Sequence, residues 1–194
     1  AMAVPSFISL LVISTMLGKN GIINVLLQNW GFTTEALPFL TNATWARGTI
    51  IIVNLWAGIP ATMLMVSGIL MNIPPELYES ASIDGANPVQ QFVKITFPYM
   101  LQVTTPYLIT NFIGNINNFG VIYFLTGGGP STLDYYKGAG KTDLLVTWLY
   151  KLTNDSNDYN LAATLGILIF IISAVFSMIT YAQARISENE EALQ

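Results

Sequence analysis

An uncharged segment in the second half of the chain, residues 97–125, carries several side-chain amides and hydroxyls. In an α-helix, which turns about 100° per residue, five of its side chains project within roughly 80° of one another. These are Thr104, Tyr107, Asn111, Asn115 and Asn118. Because a side-chain amide both donates and accepts hydrogen bonds, such a stripe can hold a neutral molecule rich in hydroxyl groups.

A second polar face is predicted on residues 48–71, where Asn54, Gly58 and Ala61 recur at helical spacing. An unpaired buried amide costs about 1–3 kcal/mol, so the asparagines of both segments need partners. The partners are either neighbouring helices, through interhelical bonds of about 0.6 kcal/mol each, or a substrate and water. The residues alone leave both interpretations open, and Tyr107 or Phe119 would add a surface on which a sugar ring can stack.

Missing residue types exclude other chemistry. The chain has no Cys and no His, so neither a catalytic residue nor a metal site is predicted. Its net charge of -4, without a basic stripe, argues against nucleic acid as a partner. Residues 138–142, Gly-Ala-Gly-Lys-Thr, imitate the end of a phosphate-binding loop, but Tyr135 stands where that loop needs its first glycine.

The elements that carry these residues are predicted to lie in a membrane. The chain of 194 residues is 53% hydrophobic and only 9% charged, which indicates an integral membrane protein. Four spanning helices are predicted, at about 1–17, 48–71, 97–125 and 161–182. The first begins abruptly, so we expect a single all-α transmembrane domain, 1–194, that is the C-terminal part of a longer, polytopic protein.

Residues 72–98 interrupt the apolar pattern with a polar stretch bracketed by prolines. Asn72 and the two prolines after it predict a short helix through 76–83, and Asp84-Gly85 predicts a turn. Asn87 and Gln90 then form the pattern of a capping box, which predicts a second short helix ending near Pro98.

Residues 79–98 resemble the "EAA" signature of the permease subunits of binding-protein-dependent ATP-binding cassette (ABC) importers, which share the MetI-like fold. The spacing of the motif is kept throughout, with Ser80 and Phe97 as departures from the usual Ala and Leu. The resemblance implies a cytoplasmic helix that docks on a separate ATPase. The matching positions are Glu79, Ala81, Asp84, Gly85, Ala86, Phe92, Ile95 and Pro98. Among them, Glu79 would contact the ATPase and Gly85 would supply a bend that a Cβ atom would obstruct.

Further segments, at 4–6, 54–60, 117–119, 125–130 and 141–146, resemble the larger, MalF-like permease subunit of maltose and oligosaccharide importers. This resemblance implies substrate contacts at Ser6, Asn54, Gly58, Asn115 and Asn118. Asn111 is a candidate from the helical stripe only. The resemblance also implies partners: a second, MalG-like permease subunit, an ATPase dimer that holds ATP and Mg, and an extracytoplasmic sugar-binding protein.

The expected function is therefore that of a non-catalytic, lipid-embedded subunit, without a cofactor of its own, in a bacterial or archaeal cytoplasmic membrane. The distribution of Lys and Arg in the loops would by itself place residues 72–98 on the outer side of the membrane, because only Lys94 and Arg185 lie on the same side as this stretch. The resemblance to the importer permeases overrides this and places the stretch in the cytoplasm. Another solute such as glycerol phosphate would call for basic residues in the spans. A channel or secondary transporter would call for an intramembrane ionisable residue, and a membrane scaffold leaves the EAA spacing unexplained.

Overall fold

The computed structural model describes residues 4–132 and 138–191; residues 1–3, which open the first predicted span, and Tyr135 lie outside these ranges. The described chain is almost entirely helical, which confirms the all-α class, and its only β feature is an isolated bridge between Ser131 and Gly140. The α-helices are α1 (Ser6–Met16), α2 (Ile22–Asn29), α3 (Ala43–Leu70), α4 (Pro75–Ile83), α5 (Pro88–Gln91), α6 (Phe97–Ile116), α7 (Phe119–Thr126), α8 (Leu145–Asn154) and α9 (Tyr159–Glu191). A π-helical turn, Phe92–Thr96, joins α5 to α6.

Within the described ranges, two helices are long and apolar enough to cross a membrane: α3, with 28 residues, and Tyr159–Tyr181 of α9, with 23. α1 is apolar but shorter, at 11 residues. Both long helices leave most of their apolar side chains uncovered; Ile52 and Phe170, for example, are 69% and 72% exposed. Side chains of this kind suit contact with lipid or with neighbouring helices.

The prediction of one continuous helix over 97–125 is wrong. α6 ends at Ile116 and α7 begins at Phe119. Asn118 is the N-cap of α7, because its side chain accepts a hydrogen bond from the Val121 N–H at 3.2 Å. Asparagine offers the backbone such a local alternative to helix, so the Asn117-Asn118 pair ends one helix and starts the next. The helical projection that aligned Asn118 with Asn111 therefore does not extend across the break.

The described chain divides into two compact units, and α3, α6 and α9 contribute residues to both. The first unit comprises 1–58 and 114–174. In it α1 packs against α7 around a buried apolar cluster of Leu10, Val53, Val121 and Leu125. Ser14 Oγ donates to the Leu125 carbonyl at 2.8 Å and fixes the register of the two helices.

The segment between α1 and α3 is held by one buried amide. Asn24, 1% exposed, donates to the carbonyls of Gly18 and Leu37 and accepts from the Leu37 N–H at 2.8 Å. These bonds satisfy the buried amide and tie both ends of the connection to α2.

A glycine-rich loop after α7 packs against the phosphate-loop look-alike. The N–H groups of Lys141 and Thr142 donate to the carbonyls of Pro130 and Gly128, and the Gly140 N–H donates to the Asp143 carboxylate at 2.6 Å. In the described part of this segment, the N–H groups of Gly140, Lys141 and Thr142 are therefore used within the loop.

The second unit comprises 59–113 and 175–194. Its helices are joined by the Thr62 and Tyr107 hydroxyls, 3.2 Å apart, and by contact between the Phe112 and Phe176 rings, whose centroids are 6.1 Å apart. This unit also contains residues 72–98.

Candidate functional sites

Three asparagines from two distant segments form a hydrogen-bonded cluster in the first unit. Asn54 Nδ2 donates to Asn115 Oδ1 at 2.7 Å, and Asn118 Nδ2 donates to Asn54 Oδ1 at 2.9 Å. Asn54 lies in α3, Asn115 in the last turn of α6 and Asn118 at the start of α7. The structure thus brings together three of the predicted substrate-contact residues; we call them the amide cluster.

The helix break produces this geometry. Because α6 ends at Ile116, Asn118 is free of helical backbone geometry, and its side chain reaches both the α7 backbone and Asn54. The cluster is not sealed in the core: Asn115 is exposed, and Asn54 and Asn118 are half-buried. Each amide carries two N–H donors and an acceptor oxygen, so the cluster pairs its members and still presents polar edges to its surroundings.

A second polar pair lies next to the cluster in sequence. Asn117 Nδ2 donates to Ser173 Oγ in α9 at 3.0 Å. This agrees with the prediction that Asn117 projects away from the stripe. The bond joins Asn117 to a neighbouring helix and so contributes to packing. Sequence reasoning missed Ser173, whose only signal was a hydroxyl within the apolar run of α9.

Asn111 and the hydroxyl residues of the stripe, Thr104 and Tyr107, lie in the second unit. Asn111 and Thr104 bond to backbone carbonyls of their own helix. Asn111 Nδ2 donates to the Tyr107 carbonyl at 3.1 Å, and Thr104 Oγ1 donates to the Met100 carbonyl at 2.7 Å. Thr104 is buried. Here the structural interpretation of the stripe, with polar groups paired within the protein, has direct support.

The two small candidate residues lie in the first unit. Ser6 is the first residue of α1 and is exposed. Gly58 lies in α3, one turn beyond Asn54, and no described atom lies within 4 Å of the position a Cβ atom would take there. There is therefore open space beside Gly58.

Residues 72–98 form a second candidate site, which we call the coupling element. α4 spans Pro75–Ile83, and the predicted capping box is confirmed, with Asn87 Oδ1 accepting from the Gln90 N–H and Gln90 Oε1 accepting from the Asn87 N–H, both at 2.9 Å. The prediction that the second helix ends near Pro98 is wrong, because helical structure continues through Phe92–Thr96 into α6. Pro98 has no N–H to donate, and the π turn directly before it, with the Phe97 N–H bonded to the Phe92 carbonyl, carries the helix past the proline.

Side-chain bonds close α4 against the following helix. The Tyr78 and Thr96 hydroxyls are 2.9 Å apart, and Gln91 Nε2 donates to Ser82 Oγ at 2.9 Å and to the Ala86 carbonyl at 3.2 Å. These contacts link the two arms on either side of the bend. The coupling element is therefore cross-braced rather than a loose loop.

Gly85 turns the chain between the arms with φ at +79°, a conformation that L side chains rarely adopt. A Cβ atom at Gly85 would meet no described atom within 4 Å, so the constraint on the bend is the backbone conformation. Around the bend, Glu79 and Asp84 are exposed and Ala81 and Ala86 are half-buried. Ile95 is half-buried, whereas Phe92 and Pro98, on the second arm, are exposed.

The exposed face of the coupling element is apolar as well as acidic. Ile83 is 86% exposed, Val89 70% and Phe92 53%. An uncovered set of apolar side chains around a carboxylate is typical of a surface that another protein covers.

These features define a class of protein, and the comparisons agree with them. Residues 1–190 match the family model described as the binding-protein-dependent transport system inner membrane component, and the chain belongs to this family. It is therefore a member of an integral membrane family of ABC transporter permeases.

Within the family the chain is similar to sugar permeases. It is 39% identical, over 97% of its length, to the maltodextrin transport system permease protein MalC of Streptococcus pneumoniae. It is 38% identical over 98% of its length both to the maltodextrin permease MdxF and to the galactooligosaccharides permease GanP of Bacillus subtilis. The chain spans 45% of the length of each of these relatives.

Among solved structures, the chain resembles a bacterial ABC transporter involved in import of the acidic polysaccharide alginate. The TM-score is 0.76 at 26% identity, over 93% of this chain and 60% of that one. The same likeness holds for that transporter in complex with an alginate pentasaccharide-bound periplasmic protein.

Proposed function

We propose that this chain forms part of the translocation pathway of an ABC sugar importer that carries neutral oligosaccharides of the maltodextrin type. The observation that carries the proposal is the 38–39% identity, over nearly the whole chain, to maltodextrin permeases. The amide cluster supplies the fitting chemistry, because amides exchange hydrogen bonds with sugar hydroxyls in either direction. Ser6 and Gly58 would contribute a hydroxyl and open space, and Asn111 a further amide.

The absence of basic residues supports a neutral cargo. Neither 48–71 nor 97–125 contains Lys or Arg. An acidic polysaccharide or a sugar phosphate in a pathway of low dielectric would call for such a cation. Galactooligosaccharides, the cargo in the name of one relative, are the second candidate.

The chain itself would hydrolyse nothing and bind no cofactor. ATP and Mg would be held by an ATPase dimer that docks on the coupling element, with Glu79 making a charge-assisted contact. A second permease subunit would complete the pathway, and an extracytoplasmic binding protein would deliver the sugar. The periplasmic protein in the complex of the alginate transporter supports the last of these partners. The machine would lie in a bacterial or archaeal cytoplasmic membrane, with residues 72–98 on the cytoplasmic side.

The test is uptake by the complete transporter in proteoliposomes. Radiolabelled maltotriose, a galactotriose and an alginate trisaccharide are supplied with the cognate binding protein and with ATP inside. Selective uptake of maltotriose is expected. Preference for the galactotriose would move the proposal to the second candidate, and preference for the anionic sugar would overturn it.

A further inference from the structure

A cluster of three aromatic rings, two from α7 and one from α8, begins at the residue that directly follows Asn118 of the amide cluster. Phe119 and Tyr123 stack with their centroids 4.8 Å apart and their planes 17° apart. Tyr150, from α8, meets both rings edge-on, at 5.1 Å from Phe119 and 5.0 Å from Tyr123. We call these three residues the ring cluster.

The ring cluster is separate from the most buried face of α7, which is formed by Val121, Ile122 and Leu125, each at most 7% exposed. It is also the place where Tyr150 of α8 packs on α7. Phe119 and Tyr123, four residues apart, lie on another face of the helix and are only half-buried, as is Tyr150. The helix therefore has one aliphatic, buried face and one half-buried aromatic face, which Tyr150 and Phe124 contact edge-on.

The position of the rings relates them to the amide cluster. Phe119 directly follows Asn118, which caps α7 and bonds Asn54. From Asn118 to Tyr123 the helix rises about 7.5 Å, which is longer than one hexose ring. A sugar chain whose hydroxyls bond the amides would therefore bring its next ring alongside the aromatic face.

We infer that the ring cluster is an extension of the sugar site, a stacking surface for the third and later rings of an oligosaccharide. The inference rests on the proposed function. Aromatic faces bind the C–H faces of sugar rings, while the Tyr123 and Tyr150 hydroxyls provide polar edges. The amide cluster would then recognise any sugar of the class, whereas the ring cluster would favour longer chains.

The experiment measures uptake of a disaccharide and of a pentasaccharide by the complete transporter in proteoliposomes. Phe119→Leu and Tyr150→Leu should raise the KM for the pentasaccharide about five- to tenfold, the size of one lost aromatic contact. The KM for the disaccharide and the basal ATPase rate should stay at wild-type values. Phe119→Tyr and Tyr150→Phe keep a ring and should restore the pentasaccharide KM.

The matched control is Phe39→Leu, which removes a ring that packs edge-on against Trp45 in the same unit, 5.6 Å between centroids. It should alter neither KM. If a leucine variant fails to assemble, Phe119→Met, which keeps the volume and apolar character without a ring, takes its place and carries the same expectation.

Unchanged KM values in the leucine variants would show that the rings serve packing or the membrane interface, and would overturn the inference. Equal increases for both sugars would overturn it as well. Asn115→Ala separates this failure from that of the proposed function. If Asn115→Ala weakens uptake of both sugars while the ring variants change nothing, only the inference fails. If Asn115→Ala also changes nothing, the sugar site itself is wrong.

Discussion

At the scale of single residues, the Asn118 side chain makes two hydrogen bonds that serve different roles. Its oxygen caps α7 by accepting from Val121, and its NH2 group donates to Asn54. One side chain thus joins local helix chemistry to the candidate sugar site. The two roles are separable, because serine also caps helices but has no amide.

Asn118→Ser should therefore keep the cap of α7 and impair transport. Asn118→Ala should both remove the cap and impair transport. We expect the serine variant to leave the thermal midpoint of the detergent-solubilised complex nearly unchanged and to raise the KM for sugar. The alanine variant should cost an additional ~1 kcal/mol of stability. Uptake by Asn118→Ser at wild-type KM would assign the amide cluster to packing alone.

Gly85 illustrates a constraint that comes from backbone conformation rather than space. Its φ of +79° is costly for a residue with a Cβ atom, by about 1–2 kcal/mol, and asparagine tolerates it better than β-branched residues do. Gly85→Val should reduce sugar-stimulated ATPase activity in proteoliposomes, and Gly85→Asn should retain most of it. Equal activity of the valine variant and the wild type would show that the bend is not needed for coupling.

At the scale of elements, the glycine-rich loop and α8 are joined by a buried ion pair. Lys151 Nζ lies 2.7 Å from Asp143 Oδ2, and the Asp143 side chain is only 3% exposed. A Cβ atom at Gly128 would overlap that carboxylate, and one at Gly140 would overlap the Gly128 carbonyl. Glycine is therefore needed at both positions, because the two sides of the loop lie close to each other and to the ion pair.

Removing one partner of this pair should destabilise the loop more than removing both. Asp143→Asn leaves a cation in a mostly buried position and should cost about 2–3 kcal/mol, less than a fully buried pair because Lys151 keeps some solvent contact. Adding Lys151→Met should recover part of that loss. Thermal unfolding of the solubilised complex checks both values, and simple additivity of the two substitutions would contradict a direct pairing.

The coupling element is held together by several short-range contacts. A capping box, a glycine bend and the Tyr78–Thr96 and Gln91–Ser82 contacts brace two arms whose outer apolar side chains are uncovered. A braced element can transmit movement of a partner to the helix that follows it, and here α5 continues through the π turn into α6. α6 ends at Ile116, and its last turn carries Asn115 of the amide cluster.

At the scale of the whole molecule, the proposal requires residue 79 to contact the ATPase subunit. A photoreactive amino acid in place of Glu79 should crosslink to that subunit in the assembled complex. The same probe in place of Trp45, an exposed residue near the start of α3, should not. Labelling of position 79 by a membrane-impermeant reagent added outside intact cells would reverse the proposed orientation.

Much of the molecule follows from the sequence because it is encoded locally. Apolar segments of sufficient length, the prolines at 74 and 75, and the Asn87–Gln90 capping box each act within a few residues, and α3, α4 and α9 form close to their predicted positions. The EAA spacing likewise lies within a single stretch, and it identified the family that the full-length match shows.

Only the tertiary structure decided which amides meet. Asn54 and Asn115 are 61 residues apart, and Asn118 reaches Asn54 from the start of α7, after α6 has ended at Ile116. A projection at constant helical pitch assumes an unbroken helix, so it grouped Asn111 with Asn118 and gave no sign of Ser173. Asn118 both caps α7 at the helix break and belongs to the amide cluster, because an amide whose oxygen bonds the backbone at a helix end still has an NH2 group that can reach another element.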